Sequence, residues 1–224
     1  MEFDWGWMND GSEVGDFHKK SINYEIFENR IYERIFEVEP NDVVLDIGSS
    51  VGPFVYSILS KNPKHVFCIE PSEKEFPTLV KNTIGYPVTH ILKGISDRNS
   101  YVDNKYLFGG EEFMDGITFN KLCNLYNLEK IDFLKTDCEG GEYYIFTFEN
   151  IDFIKNNIKK ISGEWYLGTL ELKEKFRFFR DNFLKDFKNV KSFSIDGIDI
   201  TWDLWNNHFI EYYSEVIIYI DNRI

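Results

Sequence analysis

Two short segments of this chain hold residue types at spacings that chemistry can use. The first is Asp46-Ile47-Gly48-Ser49-Ser50-Val51-Gly52, which follows the aliphatic run Val43-Val44-Leu45 and leads into Pro53 and Phe54. Glycines in such a loop permit a tight turn and let a ligand approach the main chain. A helix opening after the loop presents unpaired N–H groups. A dinucleotide pyrophosphate calls for G-x-G-x-x-G, but here Ser49 and Ser50 follow Gly48 and the middle glycine is missing. The spacing therefore suits an adenosine cofactor without phosphates. In this reading Asp46 supplies negative charge for the cofactor's cationic end, and backbone amides of the loop meet its carboxylate.

Glu70-Pro71 closes a second aliphatic run, Val66-Phe67-Cys68-Ile69. It lies about twenty residues beyond the glycines, where doubly wound folds place the carboxylate that takes the ribose hydroxyls. Ser96-Asp97 ends a third run and by position could meet an adenine amino group. The second reactive segment is Lys135-Thr136-Asp137-Cys138-Glu139-Gly140-Gly141-Glu142. In extended geometry Lys135, Asp137 and Glu139 share one face. Carboxylates there could position an acceptor, act as a base or hold a hard cation; with no further ligand cluster visible, no metal is assigned. Asp137, Glu139 and Glu164, all at strand ends, are the candidate catalytic groups, with Asp137 also near the cofactor. His18 joins them if the N-terminal arm folds over the site.

The elements that must position these groups follow from hydrophobic pattern. Residues 1–20 read as an irregular arm. Ser21 caps a leading helix over residues 21–39, with Tyr24, Phe27, Ile31 and Ile35 on one face and Pro40 as its stop. Strands then alternate with helices: residues 43–45, 66–69 and 88–95 are strands, with helices to about Ser60 and from Ser72 to about Asn82. Residues 98–117 break the rhythm as a loop or small hairpin. Thr118 begins another helix, residues 131–136 form the fourth strand beside the first, and residues 158–163 form the fifth. Leu172, Phe176, Phe179, Phe183 and Phe187 trace an apolar helical stripe. Residues 191–202 and 215–220 make a closing antiparallel pair, because no crossover helix separates them. The pattern predicts one α/β domain over residues 1–224: a Rossmann-like, seven-stranded, mostly parallel sheet with helices on both faces.

The 224 residues are 43% hydrophobic and carry a formal net charge of -13. That charge argues against a broad phosphate-binding surface, so neither nucleic acid nor membrane is expected as a partner. The three cysteines are scattered, which points to reduced thiols and a cytoplasmic setting, the host's if the chain is viral. No signal peptide or twenty-residue apolar span is visible. Oligomeric state is not encoded in any pattern here. Trp5, Trp7, Phe108, Trp202 and Trp205 are the aromatics available to an acceptor pocket walled by the arm, residues 98–117 and residues 202–213.

Together, VVLDIGSSVGPF, FCIEPSEKEF and IDFLKTDCEGGEY closely resemble the FkbM family of methyltransferases. That family pairs a D-I-G-x-x-x-G loop with an E-P strand end and a K-x-D-x-E-G-x-E block. The likeness runs roughly over residues 43–167. Ser49-Ser50 stand where members often have Ala-Asn, and Tyr166 stands where many carry His. The resemblance implies a class I fold, S-adenosyl-L-methionine as cofactor, and O-methylation of a hydroxyl on a sugar, glycan or small metabolite. Competing readings are a nicotinamide-dependent Rossmann enzyme, disfavoured by the missing glycine, and an idle methyltransferase fold acting as a binding or scaffold module.

Overall fold

The computed structural model describes residues 2–103 and 113–223. Its main sheet has seven strands: β1 (Val43–Ile47), β2 (His65–Ile69), β3 (Val88–Ile91), β7 (Ile131–Thr136), β8 (Ile158–Tyr166), β9 (Val190–Phe193) and β10 (Glu215–Asp221). They lie in the order β3-β2-β1-β7-β8-β10-β9. The first five are parallel, and β10 runs antiparallel to both β8 and β9. A small second sheet joins β4 (Gly94–Ile95), β5 (Tyr101–Asp103) and β6 (Phe113–Ile117).

Alternate residues of each strand serve opposite faces, as strand geometry requires. Val44, Val66, Cys68, Phe133, Ile217 and Tyr219 pack on one side. That side is covered by α2 (Pro53–Ile58), α3 (Phe76–Asn82) and residues 26–38. Leu45, Ile47, Leu134, Ile161 and Ile218 pack on the other. There lie α4 (Phe119–Leu125), α5 (Glu142–Ile145), α6 (Ile151–Asn157) and α7 (Leu170–Asn182). Each of the five residues in the predicted apolar stripe, Leu172 to Phe187, is buried. The short α8 (Asn207–Ile210) precedes β10.

Three expectations are corrected. The leading helix lies earlier than residues 21–39: α1 spans Glu13–Ile22 and continues as a π-helical turn over Asn23–Glu28. Ser12, not Ser21, caps it by accepting from the Gly15 amide, with Glu13 and Asp16 in the first turn, where acidic groups favour the helix dipole. The arm is therefore largely helical. Beyond Glu28 the chain turns at Arg30 (φ +49°), and Ile31, Tyr32, Phe36 and Val38 are buried while Tyr24 and Ile35 are exposed. The predicted third strand divides at residues 92–93, its second half joining the small sheet. The strand predicted over 191–202 ends at Phe193 because Asp196-Gly197 turns the chain, with Gly197 at φ +87°, an Asp-Gly hairpin signal. Among the described residues no helix is long and apolar enough to cross a membrane.

Candidate active site

The loop after β1 is fixed by its own backbone. Gly48 has φ +79°, and a Cβ there would lie 1.6 Å from the carbonyl oxygen of Asp137. Gly52, at φ +89°, caps α2, with Pro53 at the first helical position. The amides of Gly48 and Ser49 donate to Ile69 O, and Gly52 N donates to Ser49 O. Ser50 N donates to Glu70 Oε2 at 2.7 Å. These amides, expected to meet a cofactor carboxylate, already have partners within the protein. A Gly-poor loop can close on itself in this way, and spacing alone does not reveal it.

Glu70 is held from both sides, since Ser72 N donates to its Oε1 at 2.8 Å. Burial, helped by the charge of Glu75, pushes its pKa up to about 8 against the pull of the two amides. With Pro71, it lines the cavity described below.

Asp46 is placed differently from the expectation. It is 0% exposed, and its Oδ1 lies 3.2 Å from Lys135 Nζ. The parallel register sets Asp46 opposite Lys135. Lys135 also donates to Gly48 O at 2.6 Å. Burial works against the lysine's charge, but Asp46 and Asp137 outweigh it and hold its pKa at about 12. Asp46 thus neutralises a lysine beneath the loop and does not face a ligand. Ser49, Gly52, Pro53 and Phe54 likewise support the loop and do not line the cavity. Ser96 Oγ donates to Arg98 O, and Asp97 pairs with Arg98 outside the cavity.

The carboxylates beyond β7 converge. Tyr32 Oη donates to Asp137 Oδ2 at 2.8 Å and lies 3.3 Å from Glu164 Oε2. Tyr166 Oη donates to Asp137 Oδ1 at 3.0 Å. Two phenols therefore fix Asp137, while Lys135 lies 3.7 Å from its Oδ2 and 5.1 Å from the Tyr32 ring centre. Because β7 ends at Thr136, Glu139 does not share a strand face with Lys135; it reaches the cavity through a turn at φ +55°. Burial, then the charge of Asp137, raises Glu139 to about 8. Glu142 is buried and accepts from the amides of Cys138 and Gly140, so it braces this turn. Burial and Asp137 also raise Glu164 well above the usual carboxyl range.

Part of this arrangement borders a cavity of about 750 Å³, within the range of small-ligand sites. Gly48, Ser50, Glu70, Asp137, Glu139 and Glu164 line it, and the N-terminal arm roofs it through Trp7, Met8, Phe17, His18 and Glu25. The arm is fastened to the α3 region: Trp7 Nε1 donates to Glu75 Oε1 at 2.8 Å, and Asn82 Nδ2 donates to Asp4 O at 2.8 Å. Lys74 lies 4.3 Å from the Trp7 ring centre. Of the predicted pocket walls, residues 202–213 contribute nothing to the lining and Trp202 is exposed; Met114 comes from the 98–117 segment. Phe108 lies outside the described residues. Tyr32, Glu25 and Glu215 are the site groups that sequence reasoning missed, since none stands near a glycine motif.

No family model matches this chain, and no curated protein matches it. Solved structures do. The chain is similar to one in the complex of the Haloferax volcanii Trm112 methyltransferase activator with a candidate methyltransferase, at 12% identity over 99% of each chain and a TM-score of 0.54. It is also similar to a chain of the fibrillarin/Nop5p complex, at 15% identity over 90% of this chain and 82% of that one, TM-score 0.52. A candidate RNA methyltransferase from Pyrococcus horikoshii gives 12% identity over 97% and 90%, TM-score 0.44. The fold is that of the class I methyltransferases, and at 12–15% identity the likeness is one of fold. These neighbours correct one expectation, that of no nucleic-acid partner: the fold is shared with chains of the fibrillarin/Nop5p complex and of the Trm112 activator–methyltransferase complex. A net charge sums over the whole surface and does not describe any local contact.

Proposed function

We propose that this protein is an S-adenosylmethionine-dependent methyltransferase whose acceptor nucleophile lies beside Asp137, Glu139 and Glu164. The observation that carries this reading is one cavity lined together by Glu70, which follows β2, by Asp137 and Glu139, which follow β7, and by Glu164 of β8. The donor set fits the cofactor: Glu70, fixed by the Ser50 and Ser72 amides, would accept from ribose hydroxyls with its remaining lone pairs, a charge-assisted contact, and Asp137 would meet the cationic end. When bound, S-adenosylmethionine supplies a methyl group on positively charged sulfur, so alignment is the protein's main task. Asp137 is held still by Tyr32 and Tyr166. Glu139, with its pKa raised to about 8, suits removal of the acceptor's proton near neutral pH.

The FkbM resemblance favours a hydroxyl of a sugar, glycan or small metabolite as acceptor, while the structural neighbours bring RNA into the set to be tried. Titration calorimetry with S-adenosylmethionine, S-adenosylhomocysteine and NAD tests the cofactor. The first two should bind and NAD should not; NAD binding alone would support the oxidoreductase reading. Transfer of a labelled methyl group is then measured over hydroxyl, amine and RNA acceptors. Cofactor binding with no transfer to any of them would support the idle scaffold.

A further inference from the structure

The N-terminal arm is held firmly at its two ends and lightly between them. At the first end Asp4 N donates to Asn82 Oδ1 at 2.9 Å, and Asn82 Nδ2 donates back to Asp4 O at 2.8 Å. The same Nδ2 donates to Val51 O at 2.8 Å, so one buried amide joins the arm to the loop after β1. Gly6 packs on α3, where a Cβ would lie 2.8 Å from Thr78 Oγ1. Trp7 Nε1 donates to Glu75 Oε1 at 2.8 Å. At the second end Ile26 and Ile31 are buried in the core. Of the ten residues of α1, which lies between these ends, only Gly15 is buried. Val14 and Phe17 remain 59% and 69% exposed although both line the cavity.

A joint stands at each end of α1. Gly11 has φ +80°, and a Cβ there would meet nothing within 4 Å. Asn23–Glu28 is a π-helical turn, followed by Arg30 at φ +49°. Irregular turns of this kind absorb the backbone rotation that lets a helix swing as a unit. The contact at the first end adjoins the carboxylate assigned to the ribose. Ser72 N donates to Glu70 Oε1 at 2.8 Å, while Ser72 Oγ accepts from Glu75 N at 3.3 Å. Glu70, Glu75 and Trp7 all line the cavity. A ligand held by Glu70 therefore lies next to the hydrogen bond that fastens the arm.

We propose that residues 4–22 form a lid that opens to admit the cofactor and closes over it, with the Trp7–Glu75 hydrogen bond as its latch. The cofactor as occupant rests on the methyltransferase reading; the opening itself does not. Hydrogen exchange read by mass spectrometry tests it on the full chain, with and without saturating S-adenosylhomocysteine. Stopped-flow measurement of that ligand's release runs alongside. The ligand should slow exchange across α1 about tenfold or more and leave α6, on the other face of the sheet, unchanged. Trp7→Phe keeps an aromatic ring and removes the N–H donor. It should speed exchange across α1, which lies outside the hydrogen bond, roughly three- to tenfold, and speed ligand release by about as much. Exchange in β1 and β7 should match the parent protein, which shows the fold intact. Unchanged α1 exchange on ligand binding, or ligand release that Trp7→Phe leaves unaltered, overturns the proposal. If S-adenosylhomocysteine does not bind, the methyltransferase reading falls. Faster α1 exchange in Trp7→Phe then sustains the lid, and equal exchange overturns it.

Discussion

Gly48 and Asp137 meet backbone to backbone, with room for no side chain between them: a Cβ on Gly48 would stand 1.6 Å from the Asp137 carbonyl oxygen. Asp137 N donates to Ile47 O at 3.0 Å, closing the same junction. The β1 loop thereby sets where the Asp137 carboxylate stands. Gly48→Ala adds a left-handed strain to this clash, since φ is +79°. It should destabilise the fold by about 2–4 kcal/mol, a drop of roughly 5–10 °C in melting temperature. An unchanged thermal melt would refute the close approach.

Glu70→Gln keeps the shape and removes the charge. Cofactor affinity should fall roughly tenfold or more, as expected for loss of a hydrogen bond to a charged group. In the parent protein, affinity should also tighten as pH rises through about 8, because the carboxylate replaces the carboxylic acid there. Calorimetry across that interval checks both, and a pH dependence that survives in Glu70→Gln would assign it to another group.

Stability should decline as the medium turns alkaline. Burial pushes Glu70 and Glu139 up to about 8 and Glu142 up to about 7, whereas the unfolded chain releases such protons near pH ~4.3. Between those limits the folded state holds more protons than the unfolded one, so stability falls as pH rises. Thermal melts should lose about 5 °C or more from pH ~5.5 to ~8.5, with a shallower slope in Glu139→Gln. A melting temperature that climbs across this interval would contradict the buried-acid account.

Tyr32→Phe deletes the hydroxyl shared by Asp137 and Glu164 while leaving the buried ring. Turnover should drop about 10- to 100-fold, the range for a hydrogen bond to a charged group, with little change in cofactor affinity. Steady-state kinetics and calorimetry together separate the two effects. A parallel loss of cofactor binding would place Tyr32 in the cofactor site.

Asp137→Asn should likewise reduce turnover far more than cofactor affinity, by at least about 100-fold if the carboxylate orients the acceptor. Equal losses in both measurements would make Asp137 a cofactor ligand first.

Much of the fold was legible because its signals are local. The aliphatic runs of β2 and β7 give way to polar residues at the observed strand ends, β1 runs on through Asp46 to Ile47, and the Leu172-to-Phe187 stripe repeats at helical spacing. Glu70 stands at the end of β2 by chain distance alone. The helix at the N-terminus was placed too late because an apolar series at steps of three and four resembles the buried, non-helical path of residues 30–38. Side-chain pairing was less accessible still. Asp46 is silenced by Lys135 only because parallel register sets the two side by side.

By itself the sequence determined a doubly wound sheet, a glycine-bearing loop after β1, and a carboxylate at the end of β2, since each depends on neighbours in the chain. Only the tertiary structure decided what surrounds the reactive end of the cavity. Tyr32 reaches Asp137 and Glu164 across 105 and 132 residues of chain, and Glu25 and Glu215 arrive from opposite ends of it. Those meetings follow from the arm packing across the sheet edge, a long-range fit of surfaces that no local spacing or periodicity encodes.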